Sequence, residues 1–168
     1  AAKGYSSALG IFIGTGIGGG FISAGCLLEG ATGSACEIGH VIVDFKGPLC
    51  SCGNQGCVEV YAAGWGIAAR ARERVAARES GYEAFPSLEQ ISAKDVFKLS
   101  QSQNPLAAVT IAEMESALTS LLISSIHAFN PACLVFGGGI IDGHPQLIER
   151  LKKRVVKKAL PIAVSSIV

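Results

Sequence analysis

The sequence predicts an α/β layered fold, in which strands and helices of ordinary length follow one another along a single chain. Two short apolar runs that end in glycine, "SALGIFIG" near the N-terminus and "CLVFGGG" from Cys133, have the pattern of buried strands. Between them lies a helical segment whose second half, "LTSLLISSIHAF", is apolar nearly all round and indicates a buried central helix. At 168 residues the chain is long enough for one domain with a sizeable core.

The N-terminal segment predicts three strands. After "SALGIFIG", the stretch "GGGFISAGCLLEG" indicates a hairpin whose two strands turn at Ala24-Gly25. Residues 4–28 carry no formal charge and are numerous enough for a membrane span, but three consecutive glycines from Gly18 disfavour a helix there. Residues 30–57 are rich in Gly, Ser, Pro and Cys and predict irregular structure.

The first helical pattern runs from about Val58 to Arg78 and carries four arginines on its polar side. A polar loop is expected over residues 79–91. Ser92 and Asp95 have the spacing of a capping box, which predicts a short helix as far as about Ser100.

The second half of the chain predicts two more helices and two strands. Asn104, followed by Pro105, has the pattern of an N-cap with proline at the first helical position, and the helix should run to Phe129. After "CLVFGGG", another helix should begin at Pro145 and end at about Lys158. The final residues, "IAVSSIV", predict a last strand.

The composition is that of a soluble globular protein, with 49% hydrophobic residues, 16% charged residues and a net charge of +1. Such low charge suggests surface that is buried against another domain or subunit, and it gives no reason to expect nucleic acid as a partner. No secretory signal pattern is visible at the N-terminus. We therefore expect reduced cysteines, a cytoplasmic protein and no membrane partner.

Two glycine-rich segments follow predicted strands and are candidates for nucleotide contact. In "GTGIGGG", Gly14 to Gly20, backbone N–H groups could cradle phosphate oxygens and the Thr15 hydroxyl could add a hydrogen bond. A simple glycine-rich hairpin explains that segment equally well. The segment "VFGGG", ending in Gly137 to Gly139, resembles the edge of a nucleotide pocket, although by itself an ordinary turn after a strand is the simpler interpretation.

The segment "CSCGNQGCVE" brings Cys50, Cys52 and Cys57 close together in sequence, ten residues after His40. Three thiols and one imidazole form a four-ligand zinc set, and glycines such as Gly53 allow the tight turns that the ligands need. A CxC pair seldom reaches disulfide geometry, and the spacing is not that of a CxxC redox pair. We favour structural zinc over a cluster of reduced cysteines.

Two carboxylates flank this candidate metal set. Glu37 precedes His40 by three residues, and Glu59 follows Cys57 by two. Held near a bound polyol, both could accept hydrogen bonds from neighbouring hydroxyls. A carboxylate that interacts with a helix macrodipole is an equally good explanation of Glu59 from its position alone.

Taken in order, the segments "GTGIGGG", "EGATGSACEIGH", "CSCGNQGCVE" and "VFGGG" resemble the ROK family, which groups bacterial sugar kinases with sugar-responsive repressors. The third segment matches the family pattern CxCGxxGCxE, with the GH histidine ten residues earlier. The resemblance extends over essentially the whole chain. It implies an actin-like (ribonuclease H-like) ATPase fold, in which residues 1–168 are the larger C-terminal lobe of a two-lobed sugar kinase.

The resemblance also implies roles for individual residues. The ligands of a structural Zn²⁺ ion would be His40, Cys50, Cys52 and Cys57. The residues in contact with the sugar hydroxyls would be Glu37, His40 and Glu59. The residues near the phosphates and the nucleoside of ATP, which is bound with Mg²⁺, would be Gly14, Thr15, Gly16, Gly137 and Gly138.

The family's kinases have further parts that this sequence does not contain, namely an N-terminal phosphate loop of the DxGGT type, an aspartate that takes the proton of the sugar hydroxyl and a closing glycine-rich helical segment. We therefore expect a fragment that is catalytically inactive alone, and a homodimer in the full-length protein. Cys36 departs from the small Gly or Ala that is usual in the family. The reaction implied is phosphorylation of a hexose by ATP, at O6; the alternative is the sugar-sensing effector domain of a repressor, although "GTGIGGG" has the kinase form.

Overall fold

The computed structural model describes residues 2–164 and contains a four-stranded mixed sheet with the strand order β3-β2-β1-β4. The strands are β1 (Ser7–Ile13), β2 (Ile17–Ser23), β3 (Cys26–Leu27) and β4 (Cys133–Gly137). β1 pairs antiparallel with β2 and parallel with β4. The predicted hairpin and the two predicted glycine-ended strands are thus confirmed, and the uncharged residues 4–28 contain all three N-terminal strands rather than a membrane-spanning helix.

Alternating burial of the side chains along β1 shows which face of the sheet packs against the helices. Leu9, Ile11 and Ile13 are fully buried, whereas Phe12 on the opposite face is 52% exposed. In the register, Ile13 lies opposite Ile17 of β2, and Phe12 lies opposite Gly137 of β4. Because β1 and β4 run parallel, the two glycine-rich segments that follow them lie at the same end of the sheet.

Seven helices accompany the sheet within residues 2–164. They are α1 (Glu59–Ala62), α2 (Gly64–Ala76), α3 (Ala93–Gln101), α4 (Pro105–Phe129), α5 (Gly139–Gly143), α6 (Gln146–Lys158) and α7 (Pro161–Val164). Short 3₁₀ turns occur at Ile38–His40, Tyr82–Ala84 and Leu88–Gln90, the last two within the predicted polar loop. The predicted capping box of Ser92 and Asp95 is present at the start of α3.

The central helix α4 begins and ends as its sequence predicts. The Asn104 side chain accepts a hydrogen bond from the Ala107 N–H at 3.0 Å, and Asn130 ends the helix in the left-handed conformation. At the C-terminal end, Phe129 contacts Phe21 of β2 with ring centroids 5.0 Å apart. By length and composition α4 could cross a membrane, but 61% of its most apolar window is buried inside the protein, as in the core helix of a soluble protein.

A buried carboxylate joins α4 to α6. Glu115 is only 6% exposed, and its two oxygens accept from Arg150 at 2.6 Å and from Arg154 at 3.0 Å. A charge in such a position requires paired partners, because an unpaired buried carboxylate is strongly unfavourable. The ion-pair cluster therefore fixes α6 on the central helix.

Two sequence predictions are corrected by the structure. The helix expected from Val58 to Arg78 is interrupted at Ala63, where an extended backbone lets the Gly64 N–H donate to the Gly14 carbonyl at 2.8 Å. The last strand expected in "IAVSSIV" is a helical turn at Pro161–Val164, since proline suits the first turn of a helix. The rest of that segment lies outside the described residues.

Candidate functional site

The four predicted metal ligands lie together in space. The imidazole of His40 and the thiols of Cys50, Cys52 and Cys57 each place one donor atom within 4.8 Å of all the others. The Cys50 sulfur is 3.6 Å from His40 Nδ1, and the Cys52 and Cys57 sulfurs are also 3.6 Å apart. Tetrahedral zinc with Zn–S bonds of about 2.3 Å would hold two sulfurs about 3.8 Å apart, so the observed spacing fits the ion.

Residues 40–57, here called the metal loop, converge because two stretches of backbone pair across it. Val58 N–H donates to the Val41 carbonyl at 2.9 Å, and Val43 N–H donates to the Gly56 carbonyl at 2.8 Å. Gly53 and Gly56 have positive φ angles of 92° and 70°, which glycine adopts at little cost. These turns bring the CxC pair back beside His40.

Two of the three clustered thiols have shifted pKa values. Burial, followed by hydrogen bonding to Cys52 and Cys50, raises the pKa of Cys57 to about 12. A hydrogen bond from the Asn54 backbone, and lesser ones from neighbouring side chains, lower the pKa of exposed Cys52 to about 7. Thiolates at such short distances would repel one another, and a divalent ion coordinated by them would offset that repulsion. The donor set therefore suits zinc.

Glu59 connects the metal loop to the turn between β1 and β2. It follows the predicted ligand Cys57 by two residues and begins α1, but its carboxylate does not cap that helix. Instead, Oε2 accepts a hydrogen bond from the Ile17 N–H at 2.9 Å. A methyl group added to Gly16 would lie 2.9 Å from the same oxygen. The side chain thus lies against the glycine turn, a long-range contact that its helix position alone did not reveal.

Glu37 stands at the start of the 3₁₀ turn that carries His40. Its side chain is exposed and makes no hydrogen bond to any described residue. The preceding residue, Cys36, has a left-handed φ of 66°, a conformation in which glycine is favoured. Cys36 therefore adopts this backbone conformation at some cost, and burial raises the pKa of its thiol.

The two glycine turns meet at the ends of β1 and β4. A methyl group on Gly138, whose φ is 94°, would lie 2.5 Å from the Ile13 carbonyl oxygen, so only glycine fits there. Gly14 N–H donates to the Gly16 carbonyl at 2.9 Å and closes the first turn, on which Thr15 is exposed. Gly14 also lies close to the Gly139 backbone. The structure therefore brings together the residues predicted to approach a nucleotide, with Gly137 immediately before the second turn.

An open cleft of about 810 Å³ extends from these turns between α2, α3 and α5. Its other walls include Trp65, Lys94 and Phe97, and the ring of Phe97 stacks on His144 with centroids 3.7 Å apart. Burial lowers the pKa of His144. The sequence did not indicate these residues as part of a site, because they come from helices far apart in the chain and carry no recognisable motif.

A mixed sheet with paired glycine turns above a cleft and helices packed on it is the architecture of a lobe of the actin-like ATPase fold. The profile of the ROK family matches residues 1–168, and the chain belongs to that family. Both results confirm what the sequence motifs implied.

The relatives of this chain include enzymes and a regulator. It is 34% identical to the glucokinase of Thermotoga maritima over 163 residues, covering 96% of this chain and 51% of that protein. It is 30% identical to the xylose repressor of Bacillus spizizenii over 161 residues, covering 96% of this chain and 38% of that protein. The chain thus spans about half the length, or less, of these curated relatives.

A solved structure of a ROK family glucokinase from Streptomyces griseus, in complex with glucose and AMPPNP, has the same fold as this chain. The TM-score is 0.79 and the sequence identity is 29%. The match covers 94% of this chain and 52% of that glucokinase.

Proposed function

We propose that residues 1–168 are the sugar- and zinc-binding lobe of an ATP-dependent hexose kinase. The observation that carries the proposal is the hydrogen bond between Glu59 Oε2 and the Ile17 N–H. It joins a carboxylate of the candidate sugar site to the glycine turn of the candidate phosphate site. A phosphoryl transferase requires its acceptor hydroxyl and its phosphate donor to lie side by side, and this contact brings their two binding elements together.

The metal ion would act structurally rather than in the chemistry. Held by His40 and the three cysteines, it would fix the turn that carries Glu37 and the start of α1, which carries Glu59. Because His40 Nδ1 lies against the Cys50 sulfur, Nε2 is the ring nitrogen that remains for a sugar hydroxyl. The two carboxylates would accept hydrogen bonds from neighbouring hydroxyls and so orient the sugar.

The cleft beside the glycine turns would hold the nucleotide. The turn at Gly14, Thr15 and Gly16 would face the phosphates of MgATP, and Gly137 and Gly138 would approach the nucleoside. Transfer to a hexose hydroxyl, O6 in our proposal, would proceed by positioning and charge stabilisation. The general base would be an aspartate outside residues 1–168, so the chain by itself would bind its substrates without turning them over.

Two titrations test this proposal separately. Calorimetry with glucose, mannose, fructose and N-acetylhexosamines should find saturable binding of at least one sugar, and Glu59→Gln should weaken it. The only tryptophan of the chain, Trp65, lies in the cleft, so its fluorescence should change on addition of MgATP but not of an equal concentration of MgCl₂. Absence of both responses would contradict the proposal. ATP turnover by the chain alone would contradict the part of the proposal that places the general base outside residues 1–168.

The second candidate function is the effector domain of a sugar-responsive repressor. The 30% identity to the Bacillus xylose repressor over 96% of this chain favours it. The same titrations discriminate between the two functions, since an effector domain would bind sugar and leave Trp65 unchanged in the presence of MgATP. The glycine turn, which has the kinase form, is the reason that we place the kinase first.

A further inference from the structure

A tyrosine on α1 makes a contact across the metal loop that the proposed roles do not use. Tyr61 is only 6% exposed, and its hydroxyl donates to the Asp44 carboxylate, Oδ2, at 2.9 Å. The other oxygen, Oδ1, accepts from the Lys46 N–H at 3.0 Å, so the carboxylate also closes a turn. Burial and the neighbouring carboxylate raise the pKa of Tyr61, while the pKa of Asp44 is lowered chiefly by the Lys46 N–H. At neutral pH the tyrosine therefore stays protonated and the aspartate stays ionised, which are the forms that make this hydrogen bond.

Glycines leave room for this contact from both sides. A methyl group on Gly47 would lie 2.4 Å from the Tyr61 hydroxyl oxygen. One on Gly56 would lie 1.6 Å from the Asp44 carbonyl oxygen. Asp44 thus lies between the tyrosine and the segment that leads into the predicted ligand Cys57. Movement of the tyrosine hydroxyl would therefore displace that segment and the ligand with it.

The contact closes the same loop as the metal would. His40 and Cys57 are 17 positions apart, and Asp44 and Tyr61 are also 17 positions apart, so the two closures overlap along the chain. The metal would join the first and last ligands, whereas the tyrosine joins the loop to α1. Because Glu59, two residues before Tyr61, is bound to the Ile17 N–H, α1 is attached to the glycine turn and to the metal loop at once.

We propose that Tyr61 is a positioning residue, which holds the metal loop in its ligand-ready arrangement through Asp44, without touching the ion. This inference rests on the proposed metal site but not on the identity of the sugar or on kinase activity. Removing the hydroxyl should leave the four donors and their coordination geometry unchanged. It should make the loop open more often, so that bound metal escapes faster and binds less tightly.

The experiment uses the 168-residue chain loaded with Zn²⁺, and in parallel with Co²⁺, whose visible absorption reports tetrahedral thiolate coordination. Tyr61→Phe should release zinc to a chelator about three- to ten-fold faster, the effect of losing one charge-assisted hydrogen bond to an exposed carboxylate. Its cobalt spectrum should match that of the parent chain. Tyr82→Phe is the matched control, since the Tyr82 hydroxyl has no hydrogen-bond partner within residues 2–164, and it should release zinc at the parent rate.

A double-mutant cycle separates positioning from general loosening. Asp44→Ala should also speed release, and Asp44→Ala combined with Tyr61→Phe should be no faster than Asp44→Ala alone, because both changes break the same contact. The inference would be overturned if the two substitutions multiplied their effects on the release rate in the double variant. It would also be overturned if Tyr61→Phe released zinc at the parent rate, or if Tyr82→Phe accelerated release equally. Circular dichroism of the metal-free variants identifies any variant that misfolds. In that case, the rate of zinc release from Asp44→Asn replaces the missing measurement, and faster release than from the parent chain supports the inference. A parent chain that takes up neither metal would refute the metal site itself and the inference with it.

Discussion

Gly56→Ala gives the sharpest test of how the metal loop is built. The residue has a φ of 70°, and an added methyl group would lie 1.6 Å from the Asp44 carbonyl oxygen, a distance that no real contact allows. Gly53 is the matched control, because it lies in the same loop with a φ of 92° but has open space around its Cβ position. The comparison separates the cost of a left-handed backbone from the cost of the steric overlap.

The magnitudes follow from the contacts. Either substitution should cost about 1–2 kcal/mol for placing alanine in a left-handed conformation. To relieve the overlap, Gly56→Ala must also push the two backbone segments apart. That movement breaks the hydrogen bonds from Val43 N–H to the Gly56 carbonyl and from Gly56 N–H to the Pro48 carbonyl, both 2.8 Å long. At about 1 kcal/mol each, the expected total is about 3–4 kcal/mol.

Thermal unfolding and metal analysis check this prediction. For a chain of this size, each 1 kcal/mol lowers the Tm by about 2–4 °C, so Gly56→Ala should lower it by about 10 °C and Gly53→Ala by about 4 °C. Zinc content should fall in Gly56→Ala and remain near the parent value in Gly53→Ala. Equal losses in the two variants would refute the argument, because the overlap with Asp44 would then contribute nothing.

Three further predictions concern other parts of the chain. Glu115→Gln should lower the free energy of unfolding in urea by about 1–3 kcal/mol, because two arginines lose their buried partner, and no change would contradict the structural role of that carboxylate. Asp95 has a lowered pKa, mainly from the Ser92 hydroxyl. Its capping contribution is therefore present above the unfolded pKa of about 3.9 and lost as pH falls through the lower folded value. Asp95→Asn should accordingly cost about 1 kcal/mol at pH 7 and progressively less as the pH falls through the lowered folded pKa, and a pH-independent loss would be the contrary result. Gly16→Ala should displace Glu59 from the Ile17 N–H and weaken hexose binding about ten-fold by calorimetry, while Gly18→Ala, with open space around its Cβ position, should not; equal affinities would disprove the coupling.

Most of the secondary structure could be predicted because its signals are local. The boundaries of α4 depend on Asn104 and Asn130. The Asn104 side chain caps the first turn, and the left-handed backbone of Asn130 ends the last one, so both effects act within a few residues. The two failures had non-local or weak causes. The break at Ala63 exists because Gly64 N–H reaches the Gly14 carbonyl, a residue fifty positions earlier. The apolar, β-branched end of the chain fits either a strand or a helical turn, and Pro161 begins a turn there.

By itself, the sequence determined the chemistry available to this protein. Three thiols and a histidine at short spacing, two glycine turns after strands, and two carboxylates beside the predicted ligands could all be named from the order of residues, because each signal is local. Only the tertiary structure decided which of these groups meet. The parallel pairing of β1 with β4 brings the two glycine turns to one end of the sheet, and Glu59 reaches the first of them through a hydrogen bond to Ile17. Contacts such as that one and the Tyr61–Asp44 bond depend on how distant segments pack, and no spacing along the chain encodes that directly.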